Sequence, residues 1–168
     1  MDSGKRTMKI RIIFAVAVVL NAALIFFLSA QNGEKSAETS GLLIERLFGD
    51  LFTKLGINLS DIAVFAAIDH IIRKLAHFSE YAFLGINLSV FISTFDKKIP
   101  FTVVCAVTSS FLYACTDEFH QYFVPARSAQ FTDVLIDTLG AAAGAAAFVL
   151  ITMIKRRIEQ NRIKTRQQ

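Results

Sequence analysis

The chain has 168 residues, of which 54% are hydrophobic and 19% are charged, and its formal net charge is +4. This length suits a single domain, but so apolar a composition excludes an ordinary soluble protein. The basic residues concentrate at the two ends of the chain and in one short loop, a distribution that orients a membrane protein and does not indicate a nucleic-acid partner.

Four apolar segments approach the length of about 20 residues that a helix needs to cross a bilayer. They cover approximately residues 12–31, 74–95, 99–120 and 133–154. The second segment is the least apolar of the four, because it includes His77 and Glu80. The pattern predicts an all-α polytopic membrane protein built as a four-transmembrane-helix bundle.

The charges that flank these segments predict their orientation. Basic residues are concentrated in residues 1–11, at Lys97 and Lys98, and in residues 155–168. By the positive-inside rule these regions face the cytoplasm, so both ends of the chain are predicted to be cytoplasmic basic tails. The first apolar run is longer than that of a signal peptide and no A-x-A cleavage site follows it, so we interpret it as an uncleaved anchor.

The first outer loop contains a predicted amphipathic helix at about residues 42–55. Apolar residues recur there at spacings of three and four, with charged residues between them, and Gly56 follows. We expect this helix to lie on the outer leaflet with its apolar face toward the lipid; a lid over a polar pocket is the alternative. A helix from Asp61 to Phe95 would be about 52 Å long, so we expect a bend between Ala67 and Arg73.

Ionisable residues gather at one end of three of the predicted spans. The second span presents Arg73, Lys74, His77, Glu80 and Tyr81 on one helical face. The third span ends with Asp117, Glu118, His120 and Gln121; Arg127 lies in the following turn; Asp133 and Asp137 begin the fourth span. Because charged groups are costly in lipid and the topology places all three groups on the outer side, we expect them to meet in one pocket. A salt-bridged cap that only holds the helix ends together is the alternative.

Three functions fit such a pocket. The first is an enzyme that acts on a lipid-linked or lipid-anchored substrate, whose candidate acid–base residues are Glu80, His77, Asp117 and His120. The remaining polar residues would then bind the substrate: Arg73, Lys74, Tyr81, Glu118, Gln121, Arg127, Asp133 and Asp137. The second is a non-catalytic protein that binds a lipid or a lipid-tailed antibiotic.

The third function is a divalent-metal site formed by His77, His120 and nearby carboxylates. Because the sequence has no local metal-ligand motif such as H-E-x-x-H, we assign no metal ligands and no cofactor. The expected partners are membrane lipids, with a lipid-linked envelope precursor or a lipoglycopeptide as candidate ligands.

Gly140 and Gly144 form a G-x-x-x-G pattern within an alanine-rich run of the fourth span. This pattern permits two membrane helices to approach closely. Packing within the chain explains it, and a homodimer through the two glycines is the alternative.

Three linked motifs resemble those of the VanZ-like family of bacterial membrane proteins. They are R-K-x-x-H-F-x-E-Y at residues 73–81, D-E-x-H-Q-x-F-V-P-x-R at residues 117–127, and the segment from Asp133 to Gly140. The resemblance covers about residues 29–149. Two positions depart from it, since Ala126 stands where the family usually has Gly and Asp137 where it usually has Asn. The resemblance implies a plasma-membrane protein whose founding relatives are linked to resistance to the glycopeptide teicoplanin, and it implies no established catalytic mechanism.

Overall fold

A computed structural model describes residues 2–31, 33–56, 59, 61–127 and 129–166. Within these ranges all the regular elements are helices. In chain order they are α1 (Asp2–Ser29), α2 (Gly33–Lys54), α3 (Ile62–Ser93), α4 (Ile99–Gln121) and α5 (Phe131–Arg166). Helices α1, α3, α4 and α5 are each long and apolar enough to cross a membrane. The prediction of an all-α polytopic membrane protein is confirmed.

Local sequence explains how α3 and α4 begin. The carboxylate of Asp61 caps α3 by accepting hydrogen bonds from the backbone N–H groups of Ala63 (2.9 Å) and Val64 (3.4 Å). Pro100 lies in the first turn of α4, where its missing N–H is tolerated. Helix α3 continues as one helix of 32 residues, so it is not interrupted between residues 67 and 73, where the sequence analysis expects a bend.

Helix α3 is the centre of the bundle and contacts each of the other four helices. Its crossing with α5 is close, because glycines of α5 face the backbone of α3. A Cβ atom added to Gly140 would overlap the carbonyl oxygen of Phe78, and one added to Gly144 would overlap that of Ala82. Both glycines are buried in this crossing. The G-x-x-x-G pattern therefore serves packing within the chain, and a homodimer through these glycines stays a prediction.

Contacts between helix ends show that successive spans alternate in direction. Near the start of α1, the Arg11 guanidinium donates a hydrogen bond to the carbonyl oxygen of Thr94, the residue after α3 (2.8 Å). At the end of α1, the Ser29 hydroxyl donates to Asp117 near the end of α4 (2.8 Å). The bundle thus has two ends, and we call the end at which α1 and α4 finish and α5 begins the site end.

Among the described residues, α2 contacts the bundle through α3 alone. The hydroxyl of Ser40 donates a hydrogen bond to the buried carboxylate of Asp69, and Gly41 faces the ring of Phe65. Several apolar side chains of α2 remain exposed, namely Leu42, Leu47, Phe48 and Leu51, and so does Leu55, which follows the helix. Helix α2 covers residues 42–54 of the segment predicted at about 42–55, and it begins earlier, at Gly33. An exposed apolar face is the surface that an interfacial helix would present to lipid.

Candidate functional site

A partly open cavity of about 130 Å³ lies at the site end of the bundle. Side chains of α3, α4 and α5 and of the loop between α4 and α5 surround it. The lining residues are His70, Arg73, Lys74, His77, Gln121, Ala126, Arg127, Gln130, Asp133, Ile136 and Asp137. The cavity therefore brings together members of all three polar groups that the sequence analysis singles out, while their roles remain predictions.

Two ion pairs order the rim of this cavity. The ammonium group of Lys74 lies 2.6 Å from Asp133 Oδ1 and joins α3 to the first turn of α5. The second pair lies within α3, where Oδ2 of Asp69 is 3.2 Å from Nη2 of Arg73, four residues later. Because Asp69 also accepts a hydrogen bond from Ser40, the second pair connects the cavity rim to α2.

Arg127 holds the end of α1 against the loop between α4 and α5. Its Nη2 donates a hydrogen bond to the carbonyl oxygen of Leu28 (3.2 Å), and its Nε donates to that of Gln31 (3.3 Å). A cation beside the last carbonyl groups of a helix is stabilised by the negative end of the helix dipole. Burial and, less strongly, the neighbouring Arg73 lower the pKa of the Arg127 guanidinium, but arginine remains protonated in proteins.

A buried carboxylate lies between the ends of α1 and α4. Asp117 is 3% exposed, and its Oδ2 accepts hydrogen bonds from the hydroxyl of Ser29 (2.8 Å) and from Nε2 of Gln121 (3.2 Å). Its other oxygen, Oδ1, is buried without a hydrogen-bond partner among the described residues. One oxygen of this carboxylate is thus hydrogen-bonded within the bundle, and the other is not.

A second buried carboxylate, that of Asp137, faces His77 across the crossing of α3 and α5. Asp137 is fully buried, and neither of its oxygens has a hydrogen-bond partner in the described part of the chain. Its Oδ1 lies 3.8 Å from His77 Nδ1, which is too far for a hydrogen bond. His77, Asp117 and Asp137 each offer one ligand atom, and these atoms all lie within 4.8 Å of one another.

Five predicted site residues do not line the cavity: Glu80, Tyr81, Asp117, Glu118 and His120. Tyr81 is fully buried in the apolar core, with its ring centroid 6.2 Å from that of Tyr113. The ring of His120 packs against Phe26 of α1, with 4.6 Å between the centroids. Glu80 is half-buried on α3, less than one turn beyond His77. Of the four acid–base candidates only His77 lines the cavity, and the roles of all four stay predictions.

Glu118 positions the loop that leads into α5. Its Oε2 accepts a hydrogen bond from the backbone N–H of Gln130 (2.8 Å), and the carbonyl oxygen of Gln130 accepts one from the N–H of Asp133 (2.8 Å). This chain of contacts makes Glu118 a positioning residue rather than a part of the cavity wall.

Sequence reasoning did not assign four residues that build the site. Ser29 and Gln130 are ordinary polar residues in sequence, and no spacing relates them to their partners. Asp69 stands four residues before Arg73, a spacing that indicates a possible ion pair on a helix. His70, which lines the cavity, stands two turns before His77 on α3, and this shared face was the available signal.

An apolar groove of about 450 Å³ adjoins the cavity between the end of α4 and the start of α5. It is lined by Cys115, Glu118, Phe119, Tyr122, Ala129, Gln130, Phe131 and Val134. Gln130 lines both the groove and the cavity. A polar space and a larger apolar space therefore meet at one membrane level.

Comparison with protein families gives one finding. The family model described as VanZ/LLP1 matches residues 14–152, and the chain therefore belongs to this family. Neither curated proteins nor solved structures give a match.

Proposed function

We propose that this member of the VanZ/LLP1 family binds the anionic head group of a membrane lipid, or of a lipid-linked envelope component, in the cavity at the site end. The observation that carries the proposal is that Arg73, Lys74 and Arg127 all line one cavity in a membrane bundle. Basic groups at this level are costly in lipid, and they are characteristic of ligand sites and ion pathways. Guanidinium and ammonium groups are also the usual protein partners of phosphate.

Hydrogen-bond donors remain available after the rim has made its internal contacts. Arg73 Nε is buried and has no hydrogen-bond partner among the described residues. The ammonium group of Lys74 has three N–H donors, and its contact with Asp133 needs only one of them. A phosphate group at the rim can therefore accept a hydrogen bond from Lys74 without breaking either ion pair.

The adjoining groove supports a lipid as the ligand. An acyl chain in the groove would contact apolar side chains such as Phe119, Phe131 and Val134, while the head group would lie in the cavity beyond Gln130. Burial of an apolar chain contributes about 0.8 kcal/mol for each methylene removed from water, but a lipid already in the bilayer gains much less. Selectivity among lipids would therefore come from contacts with the head group, and the groove would only position the acyl chain.

The proposed location is the bacterial plasma membrane, with the site end at the outer leaflet and both termini in the cytoplasm. The support is the concentration of Lys and Arg at the opposite end of the bundle, in the loop that contains Lys97 and Lys98 and in the final turns of α5. Reporter fusions to the two termini test this orientation. An extracytoplasmic C-terminus would contradict it.

Binding is tested with the purified full-length chain after removal of bound lipid. The protein is incubated with micelles that contain phosphatidylglycerol or phosphatidylcholine, and retained lipid is measured by native mass spectrometry. We expect selective retention of phosphatidylglycerol. Arg73→Gln should reduce it about tenfold, since a hydrogen bond to a charged group contributes about 1.5–3 kcal/mol.

The matched control is Arg157→Gln, which removes an exposed base at the opposite end of the bundle. It should leave retention unchanged. Addition of glycerol 3-phosphate distinguishes recognition of the whole lipid from recognition of the phosphate group alone, because only the latter allows effective competition. Equal retention of both lipids by the wild type would refute the proposal.

Catalysis on the bound lipid is the second candidate function, favoured by the position of His77 at the cavity beside two carboxylates. In such an enzyme His77 would transfer a proton to or from the head group. Incubation with a radiolabelled lipid-linked precursor tests this function. An enzyme should form product that is lost in His77→Gln while lipid retention persists, whereas a binding protein should form none.

A role in resistance to teicoplanin follows from the family resemblance and is also a proposal. Expression of the chain in a susceptible bacterium should raise the inhibitory concentration of teicoplanin. Arg73→Gln at equal protein abundance should abolish the increase. An unchanged inhibitory concentration with the wild type would remove this role and leave lipid binding as a separate question.

A further inference from the structure

Three residues that each carry an unsatisfied polar atom converge at the cavity, with one potential ligand atom of each within 4.8 Å of the others. They are His77 on α3, Asp117 on α4 and Asp137 on α5. Nδ1 of His77, Oδ1 of Asp117 and both oxygens of Asp137 are buried and lack a hydrogen-bond partner among the described residues. Buried polar groups are nearly always hydrogen-bonded, so this concentration of unsatisfied groups requires an explanation.

The two buried carboxylates of this group also lack a positive charge to balance them. Asp117 is 3% exposed and Asp137 is fully buried, and in the described part of the chain no Lys or Arg lies within ion-pair distance of either carboxylate. The nearby bases have other contacts, since Arg73 pairs with Asp69 and Lys74 with Asp133. Two uncompensated carboxylates in a membrane bundle would be strongly destabilising.

We propose that His77, Asp117 and Asp137 form a binding site for one divalent cation of the Mn²⁺ or Zn²⁺ type. One imidazole and two carboxylates form a donor set that suits these ions better than Ca²⁺ or Mg²⁺. A divalent cation neutralises two carboxylates and gives the orphaned atoms a partner. His77 and Asp137 also line the cavity, so the ion has a path of entry and can keep water or a ligand oxygen as a further ligand.

The distances permit this site if the ligand atoms move closer together. The three ligand atoms lie within 4.8 Å of one another, and bonds of about 2.1 Å place the ligands of a tetrahedral ion about 3.4 Å apart. Rotation of the His77 ring and of the Asp137 carboxyl group supplies the difference. His120, the histidine that sequence reasoning associated with a metal, packs on Phe26 and is not part of the group.

The metal site shares the cavity with the proposed lipid site, but it is tested without lipid, so failure of one proposal is distinguishable from failure of the other. The purified full-length chain is stripped of metal with a chelator and titrated with Mn²⁺, and free Mn²⁺ is measured by electron paramagnetic resonance. We expect about one ion bound per chain and its displacement by Zn²⁺. Elemental analysis of protein purified without a chelator gives a second measure of stoichiometry.

Asp137→Asn tests the ligand assignment with little change in shape. It keeps one ligand oxygen but removes a charge, so affinity should fall by at least about tenfold. The controls are His120→Ala, which alters a histidine outside the group, and Glu159→Gln, which alters an exposed carboxylate at the opposite end of the bundle. Both should retain the affinity of the wild type.

A spectroscopic measurement separates ligation from a folding defect. Bound Mn²⁺ should show electron spin-echo modulation from an imidazole nitrogen, which His77→Ala should remove even if some Mn²⁺ still binds. Absence of stoichiometric binding in the wild type would overturn the proposal and favour a proton shared between the two carboxylates. Undiminished affinity in Asp137→Asn, or an unchanged nitrogen signal in His77→Ala, would also overturn it.

Discussion

Replacement of Gly140 by Ala tests the close crossing of α3 and α5. A Cβ atom at this position would overlap the carbonyl oxygen of Phe78 and would lie 3.0 Å from its carbonyl carbon and 3.1 Å from its Cα. All three atoms belong to helix backbone, so they cannot rotate away as a side chain would. The two helices must therefore move apart to accept a single methyl group.

The expected net loss of stability is about 2 kcal/mol. Overpacking of a well-packed interface costs about 1–3 kcal/mol, and the rigid backbone contact at Gly140 places the change at the upper end of that range. The higher helix propensity of Ala returns at most about 1 kcal/mol. Because Phe78 follows His77 and Gly140 stands one turn after Asp137, the same movement separates His77 from Asp137.

The free energy of unfolding is measured for the purified chain by titration of mixed micelles with dodecyl sulfate. Gly49→Ala in α2 is the matched control, since its Cβ would meet only the side chain of Glu45, at 4.0 Å. It should be neutral or slightly stabilising. If Gly140→Ala were as stable as Gly49→Ala, the close approach of the two helices would be refuted.

Three further substitutions probe contacts around the site. Ser29→Ala removes a hydrogen bond to buried Asp117 and should lower the free energy of unfolding by about 1–3 kcal/mol. Ala126 has a φ of 57°, so Ala126→Gly should relieve about 1–2 kcal/mol of strain, less about 0.5–1 kcal/mol for the greater flexibility of Gly. Ser40→Ala removes the hydrogen bond to Asp69 and should increase proteolysis of α2 in the folded protein.

Each of these predictions has a result that would contradict it. Unchanged stability of Ser29→Ala would mean that Asp117 does not depend on α1 for a partner. A destabilised Ala126→Gly would show that this turn does not need the left-handed backbone conformation. Equal protease sensitivity of wild type and Ser40→Ala, measured by limited digestion, would show that other contacts of α2 hold it on α3.

The left-handed conformation gives one departure from the family resemblance a physical consequence. The Gly that the resemblance leads us to expect at position 126 adopts a positive φ without steric cost, whereas Ala126 adopts it with strain. The other departure, Asp137, places a second carboxylate beside Asp117 and His77. The sequence located both departures, but only the backbone conformation and the contacts of these residues give them a physical meaning.

Helix rotation is the feature that sequence periodicity predicted least well. Helical spacing placed Tyr81 and His77 on one broad face, yet Tyr81 is in the apolar core and His77 lines the cavity. Successive residues of a helix are rotated by about 100°, so His77 and Tyr81, four residues apart, differ by only about 40°. A helical face that includes both can therefore border the apolar core on one side and the cavity on the other. His120 and Asp117 also share a predicted face but have different surroundings, because the ring of His120 packs against Phe26 of α1 while Asp117 accepts a hydrogen bond from Ser29.

The sequence alone determined the four spans, the all-helical class and the level at which the polar residues gather. These properties follow from the free energy of transfer of each segment into lipid, which depends on composition and length and on little else. Only the tertiary structure decided which polar groups become partners. The pairing of Ser29 with Asp117 and the approach of His77 to Asp137 depend on how closely and at what rotation the helices pack, and glycine contacts between distant segments set that packing.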